Sequence, residues 1–184
     1  MIMIRLLERV LLTTGVICLG WYGIGRVEAL QARRVVEAAL EPPPPSSGAS
    51  AVGGEDRAVG LLEIPRLGLS TPVLVGDDDA TLRAAAGHLP DTPRPWQGGN
   101  AAIAGHRDGV FRPLRGIRVG DRIRMVTPRG DFDYEVRATT VVAPDDLSVL
   151  KSGDTAMLTL ITCFPFTYIG PAPQRFIVQA DRIR

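Results

Sequence analysis

Hydrophobic and polar positions divide the chain into three unlike stretches. From Val10 to Gly25, "VLLTTGVICLGWYGIG", sixteen residues pass without a charge, behind a short segment that carries Arg5 and Arg9. A run of this kind is a membrane signal, somewhat under the roughly 20 residues that a bilayer span takes, with Trp21 and Tyr22 placed for the interface. A cleaved signal peptide shares the basic start and the apolar run, but Arg26, Val27 and Glu28 follow where small residues would mark a cleavage site. The expectation is an uncleaved transmembrane helix over 10–25, with 1–9 as a short cytoplasmic N-terminus and the rest of the chain outside the cytoplasm. Residues 26–41 keep a helical composition and are read as a juxtamembrane helix. Residues 42–57 open on "PPPPSSGASAVGGED", lose all periodicity and form a linker, stiff at the prolines and loose at the Ser/Gly end, that holds the remainder off the bilayer.

From Ala58 onward the pattern becomes short, alternating and punctuated. "GLLEIPRLGLSTPVLVG" predicts two strands, with Pro65 and Pro72 confined to strand starts or edges. "DDDATLRAAAGHL" predicts one short helix with aspartates at its N-terminus, where the macrodipole favours them. "NAAIAGHR" reads as a buried strand and "DGVFRPLRGIRVGD" as a turn or short helix. "DRIRMVTP" and "GDFDYEVRATTVVAP" read as a hairpin about an Arg-Gly-Asp turn. A short helix near Leu147 to Lys151, the strand "AMLTLITC" and a last strand "RFIVQADRI" complete the region. About eight short strands with few helices predict a mostly β domain over 58–184, a small and mostly antiparallel barrel or sandwich.

Composition changes this picture little. A net charge of +1 with interspersed signs gives no nucleic-acid surface. The two cysteines change it more. Cys18 lies inside the apolar run and Cys163 in the β-rich region, so the membrane separates them and no disulfide joins them. A lone thiol in an oxidising compartment is either well buried or chemically employed.

Three side chains at strand ends could employ it. Cys163 ends one strand, His106 follows another in "AGHRDG", and Arg175 opens a third in "PQRFIV". A deprotonated thiol is a nucleophile, and a nearby imidazole or guanidinium stabilises the thiolate. Histidine can hold a proton and return it to a departing amine, and arginine can hold a carbonyl or the oxyanion made from it. Taken alone, the three residue types are compatible with a buried cysteine, a turn histidine and a solvated arginine.

The local text adds to the residue types. "TLITC" resembles the Thr-Leu-x-Thr-Cys strand of the sortases, "NAAIAGHR" the segment that presents their histidine, and "YIGPAPQRFIV" the segment that carries their active-site arginine. The resemblance runs from about Gly60 to Arg184, including "GHLPDTP" upstream of "GGN". It implies an eight-stranded sortase-type β-barrel and a membrane-anchored cysteine transpeptidase. Such an enzyme cuts a Leu-Pro-x-Thr-like sorting signal near the C-terminus of a secreted protein. It passes the product through a thioester to an amine acceptor of the cell envelope. By position, Cys163 is then the nucleophile, His106 the general acid and base, and Arg175 the substrate and oxyanion stabiliser. Thr162 and His88 are weaker candidates for substrate binding. The anchor at the N-terminus and the "FTYIGPAPQRFIV" segment look most like class D. No cofactor is implied; capping and solvated loops explain Asp77 to Asp79 and the pair Asp145, Asp146 more simply than calcium does. The competing expectation is a non-catalytic, membrane-anchored β-domain that binds partners in the envelope, with Cys163 merely packed.

Overall fold

The computed structural model describes residues 2–40, 57–153 and 155–183. Most of the 42–57 linker therefore lies outside the described residues. One helix, α1 (Ile2–Leu40), takes in both the apolar run and the segment after it, without a break at Gly25. Its Leu11, Leu12, Ile17, Leu19 and Trp21 are all more than half exposed, so nothing among the described residues covers this apolar part. The helix is long and apolar enough to cross a membrane. Its last turns behave differently. Ala32 and Val36 are buried against Ala58, Leu74 and Ala85, which are the first residue of β1, a residue of β2 and the cap of α2.

Downstream, β1 (Ala58–Ile64), β2 (Leu69–Val75), α2 (Asp79–Ala84), β3 (Ala86–His88), β4 (Asn100–Ala104), β5 (Arg122–Thr127), β6 (Gly130–Val142), β7 (Met157–Phe164) and β8 (Gln174–Arg182) follow in order. The strands close into a barrel in the order β1-β2-β3-β4-β7-β8-β6-β5. Closure decides between the two architectures the strand pattern allowed. The β2–β3 and β4–β7 seams are parallel and the remaining pairs antiparallel. Both parallel seams need a crossover, and the connection from β4 to β7 passes through the whole β5–β6 hairpin.

Alternation along each strand fills the barrel. Leu158 and Leu160 of β7, Val178 and Ala180 of β8, Ile103 of β4 and Ile123 of β5 lie together in the core. Tyr134 of β6 is buried among them, and its hydroxyl donates to the Pro95 carbonyl at 3.0 Å. Burial pushes this phenol up to about 12, so it stays a donor throughout the working pH range.

Pro72 sits inside β2, opposite Leu61, and meets the expectation as an edge position. It is tolerated because β3 pairs with β2 only from Val73 onward, leaving one side of the strand without a ladder partner at Pro72. The β5–β6 hairpin turns at Pro128 and Arg129, with Thr127 opposite Gly130, so the turn residues stand three and two positions ahead of Asp131. Gly130 has φ of 118°, a conformation that glycine adopts at no steric cost. The short helices fall where the aspartates put them. Asp78 caps α2 through Ala80 and Thr81, and Asp146 caps the 3-10 turn Leu147–Leu150 through Ser148.

Candidate active site

The site forms where β4, β7 and β8 end side by side. In β7, Leu158 and Leu160 face the core, so the period of two turns Ile161 and Cys163 to the outer face of the barrel. Antiparallel pairing sets Cys163 opposite Arg175 and Ile161 opposite Ile177. Parallel pairing of β4 with β7 reaches Ala104 opposite Ile161, and the Gly105 amide continues it to the Ile161 carbonyl at 3.1 Å. The next residue is His106. Cys163, Arg175 and His106 consequently line one groove of about 360 Å³. Leu147, Val149 and Leu150 of the 3-10 turn and Leu82 of α2 also line it.

Each member of the trio is held by backbone that is itself tied down. Arg175 Nη1 donates to the carbonyls of Ala172 at 3.3 Å and Gln174 at 3.1 Å. The loop that carries His106 folds back on itself, with the His106 carbonyl accepting from Gly109 and Phe111. Cys163 is a half-buried free thiol, and Cys18 lies exposed on α1.

Thr162 and His88 take places that the sequence does not reveal. Thr162 is buried, and its hydroxyl donates to the Gly105 carbonyl at 2.7 Å. That bond joins the residue before Cys163 to the residue before His106, so its proton is committed to fixing the two elements in register. Thr162 does line the groove. His88, in contrast, is 1% exposed and is not among the groove's lining residues. With Nε2–H donating to the Pro93 carbonyl at 2.9 Å, its Nδ1 is left without a partner. Burial, helped by the charge of Arg94, pushes this imidazole below its ordinary range, against the opposing effect of the Pro93 bond. The neutral ring pins "LPDTP" to the barrel. Thr92 in that segment accepts from the Ala102 amide at 3.1 Å and donates to the Leu89 carbonyl at 2.8 Å.

Two supporting residues had no signal in the sequence beyond their place beside the matching segments. Asn100 opens β4, fully buried, and its Oδ1 accepts from Thr159 Oγ1 at 2.7 Å. Its amide donates to the carbonyls of Val149 at 3.0 Å and Lys151 at 3.4 Å, which fastens the groove's apolar wall to the strand below His106. Arg107 donates to three carbonyls of the β7–β8 connection. Among the described residues, no group of three or more His, Cys, Asp or Glu is arranged to hold a metal ion.

A closed eight-stranded barrel of this strand order, with a thiol and a guanidinium paired across neighbouring strands, defines a sortase-type fold. The sortase domain family matches residues 62–183, and the chain belongs to that family. Over 128 residues it is 37% identical to Sortase D of Bacillus subtilis (strain 168), a stretch covering 69% of this chain and 65% of that relative. It thus spans just under two thirds of the length of Sortase D. Among solved structures, a Clostridium perfringens Sortase D5 transpeptidase superposes with a TM-score of 0.71 at 26% identity, over 86% of this chain and 99% of the other. Sortase C1 from Streptococcus agalactiae gives a TM-score of 0.66 at 26% identity, covering 74% and 72% of the two chains.

Proposed function

We propose that this protein is a membrane-anchored cysteine transpeptidase of class D type, with Cys163 as nucleophile, His106 as general acid and base, and Arg175 as stabiliser of the reacting carbonyl. The observation that carries this reading is the register of Cys163 against Arg175 at the edge of a groove that His106 also lines. The Cys163 thiolate attacks a peptide carbonyl carbon of a Leu-Pro-x-Thr-like signal, and the charge that collects on its oxygen is met by the Arg175 guanidinium. As the C–N bond breaks, the His106 imidazolium gives its proton to the leaving amine, and a thioester remains on Sγ. An incoming amine from the envelope attacks the thioester and loses its proton to His106. The thiolate then leaves, and the enzyme returns to its starting state. The α1 helix holds the chain in the plasma membrane as a single pass, with the barrel on the extracytoplasmic side. A secreted protein bearing the signal and an envelope amine are then its partners, and the trio performs every step without a cofactor.

Thiol reactivity and turnover test the assignment together. In the folded protein, a methanethiosulfonate reagent should convert Cys163 to a mixed disulfide, with methanesulfinate leaving, and abolish transpeptidation of a sorting-signal peptide. His106→Ala and Arg175→Ala should each lower turnover by on the order of a hundredfold or more. An inert Cys163, or a Cys163→Ala variant with full activity, would end the reading.

A further inference from the structure

Arg107 follows His106 directly, yet its guanidinium is spent on another loop. Nη1 donates to the Pro165 carbonyl at 2.9 Å, and Nη2 to the carbonyls of Tyr168 at 2.6 Å and Gly170 at 3.2 Å. Its guanidinium carbon also lies 5.8 Å from the centre of the Tyr168 ring. Those carbonyls belong to the connection between Phe164, where β7 ends, and Gln174, where β8 begins. Cys163 and Arg175 stand at its two ends.

Phe166 roots the start of that connection on the core and against the Phe164 and Phe176 rings, but the part beyond it has little of its own to hold it. Ile169 is 96% exposed and Tyr168 46%, so apolar burial contributes little at its tip. The Tyr168 amide to Pro165 carbonyl bond, at 3.3 Å, is long. From its far end Arg175 donates to the carbonyls of Ala172 and Gln174. Two guanidinium groups thus hold one loop, Arg107 its first half and Arg175 its second. A planar fork with five fixed donors suits several carbonyls at once, which an ammonium on a flexible stem does not.

We propose that Arg107 is a positioning residue that clamps the β7–β8 connection to the His106 loop and, through that connection, sets the guanidinium of Arg175 against Cys163. The proposal rests on the transpeptidase reading for its consequence in rate. With the clamp released, Ala172 moves with the loop while Gln174 stays paired in β8, and the Arg175 guanidinium loses one of the two carbonyls that orient it. A misplacement of about 1 Å in such a group can cost on the order of a hundredfold in rate.

Two measurements on the full chain in detergent or bilayer test it. The first is amide hydrogen exchange over residues 166–172, which requires no substrate. Arg107→Ala should speed exchange in this segment while β7 and β8 stay protected, and Arg107→Lys should fall between it and the parent. Unchanged exchange in a folded Arg107→Ala or Arg107→Lys protein overturns the clamp. The second is a double-mutant cycle on acylation by a sorting-signal peptide. In the parent, Arg107→Ala should lower the rate at saturating peptide by on the order of tenfold or more, with KM little changed. In an Arg175→Ala background the same change should have almost no further effect, because Arg107 acts through Arg175. Equal losses in both backgrounds would mean a general structural role and overturn the proposal. Should Arg107→Ala fail to fold, Arg107→Lys carries the same cycle. A parent protein inert toward sorting-signal peptides counts against the transpeptidase reading, while the exchange measurement still decides the clamp.

Discussion

His88 shows how far one buried side chain can depart from what its neighbours in sequence suggest. Its position beside "LPDTP" makes it a candidate for the groove, but the ring is enclosed and neutral, with Nδ1 unpartnered and Nε2–H given to Pro93. Its proton affinity in the folded protein is depressed by burial and by Arg94, so the unfolded chain takes up the proton first as pH falls. Stability from this residue is therefore complete above the ordinary histidine value of about 6.5 and declines below it, toward the depressed folded value. Within that window the loss has a slope of at most about 1.4 kcal/mol per pH unit. Urea unfolding of the parent between pH 8 and 5 should show this decline, and His88→Gln, which keeps a donor for Pro93 but does not titrate, should show a flatter profile. Parallel profiles would mean that His88 titrates alike in both states. Thr162 teaches the same lesson by different chemistry. Next to a nucleophile it invites a reading as a carbonyl holder, whereas the structure gives its proton to Gly105.

At the scale of elements, the site depends on how closely the β4 end and the loop after it can pack. Gly105 lies between the last strand residue and His106. A Cβ there would stand 2.6 Å from Phe111 Cδ2 and 2.8 Å from Cγ of the same fully buried ring. The ring cannot recede without disturbing the core, so the backbone beside His106 must move. Gly105→Ala should lower stability by about 1–3 kcal/mol, the usual range for overpacking. It should also slow acyl transfer at temperatures where the variant is still fully folded. Thermal unfolding together with turnover well below the transition checks both, and an unchanged melting temperature would show that the ring has room to yield. The sequence shows a glycine before a histidine and nothing of Phe111, because the contact is made by a loop that folds back.

The whole molecule couples a barrel to a long helix. At 1.5 Å per residue, the 39 residues of α1 extend to about 58 Å, nearly twice the roughly 30 Å of a bilayer's hydrocarbon core. The part beyond the apolar run carries Val36, fully buried, and Ala32, 5% exposed, onto β1, β2 and α2. The barrel is thus gripped directly by the last turns of α1. Leu82 of α2 lines the groove while Ala84 of the same helix packs with the α1 contact, so α1 also braces one side of the groove. Through an alkaline wash the full chain should stay with the membrane pellet. A chain starting at Arg57 should appear in the soluble fraction and unfold at a lower temperature, because Ala58, Leu74 and Ala85 lose their cover. Retention of that shortened chain in the pellet would remove α1 as the anchor.

Much of this was legible in one dimension. The apolar run, the strand periodicities, the capping aspartates Asp78 and Asp146, and the three segments around His106, Cys163 and Arg175 are local patterns. Chain chemistry and a period of two or 3.6 suffice to read them. The period of two assigns Cys163 to the face opposite Leu160, but it does not say which strand lies alongside. Partner and register come from closing the barrel, which joined β4 to β7 in parallel across the intervening hairpin and so brought the loop of His106 beside the Cys163–Arg175 pair of the consecutive strands β7 and β8. The same closure put Pro72 inside a strand, enclosed His88, aimed Thr162 at Gly105 and brought Arg107 to the β7–β8 connection. In each case the deciding contact joins backbone or side chains that sequence order alone does not bring together.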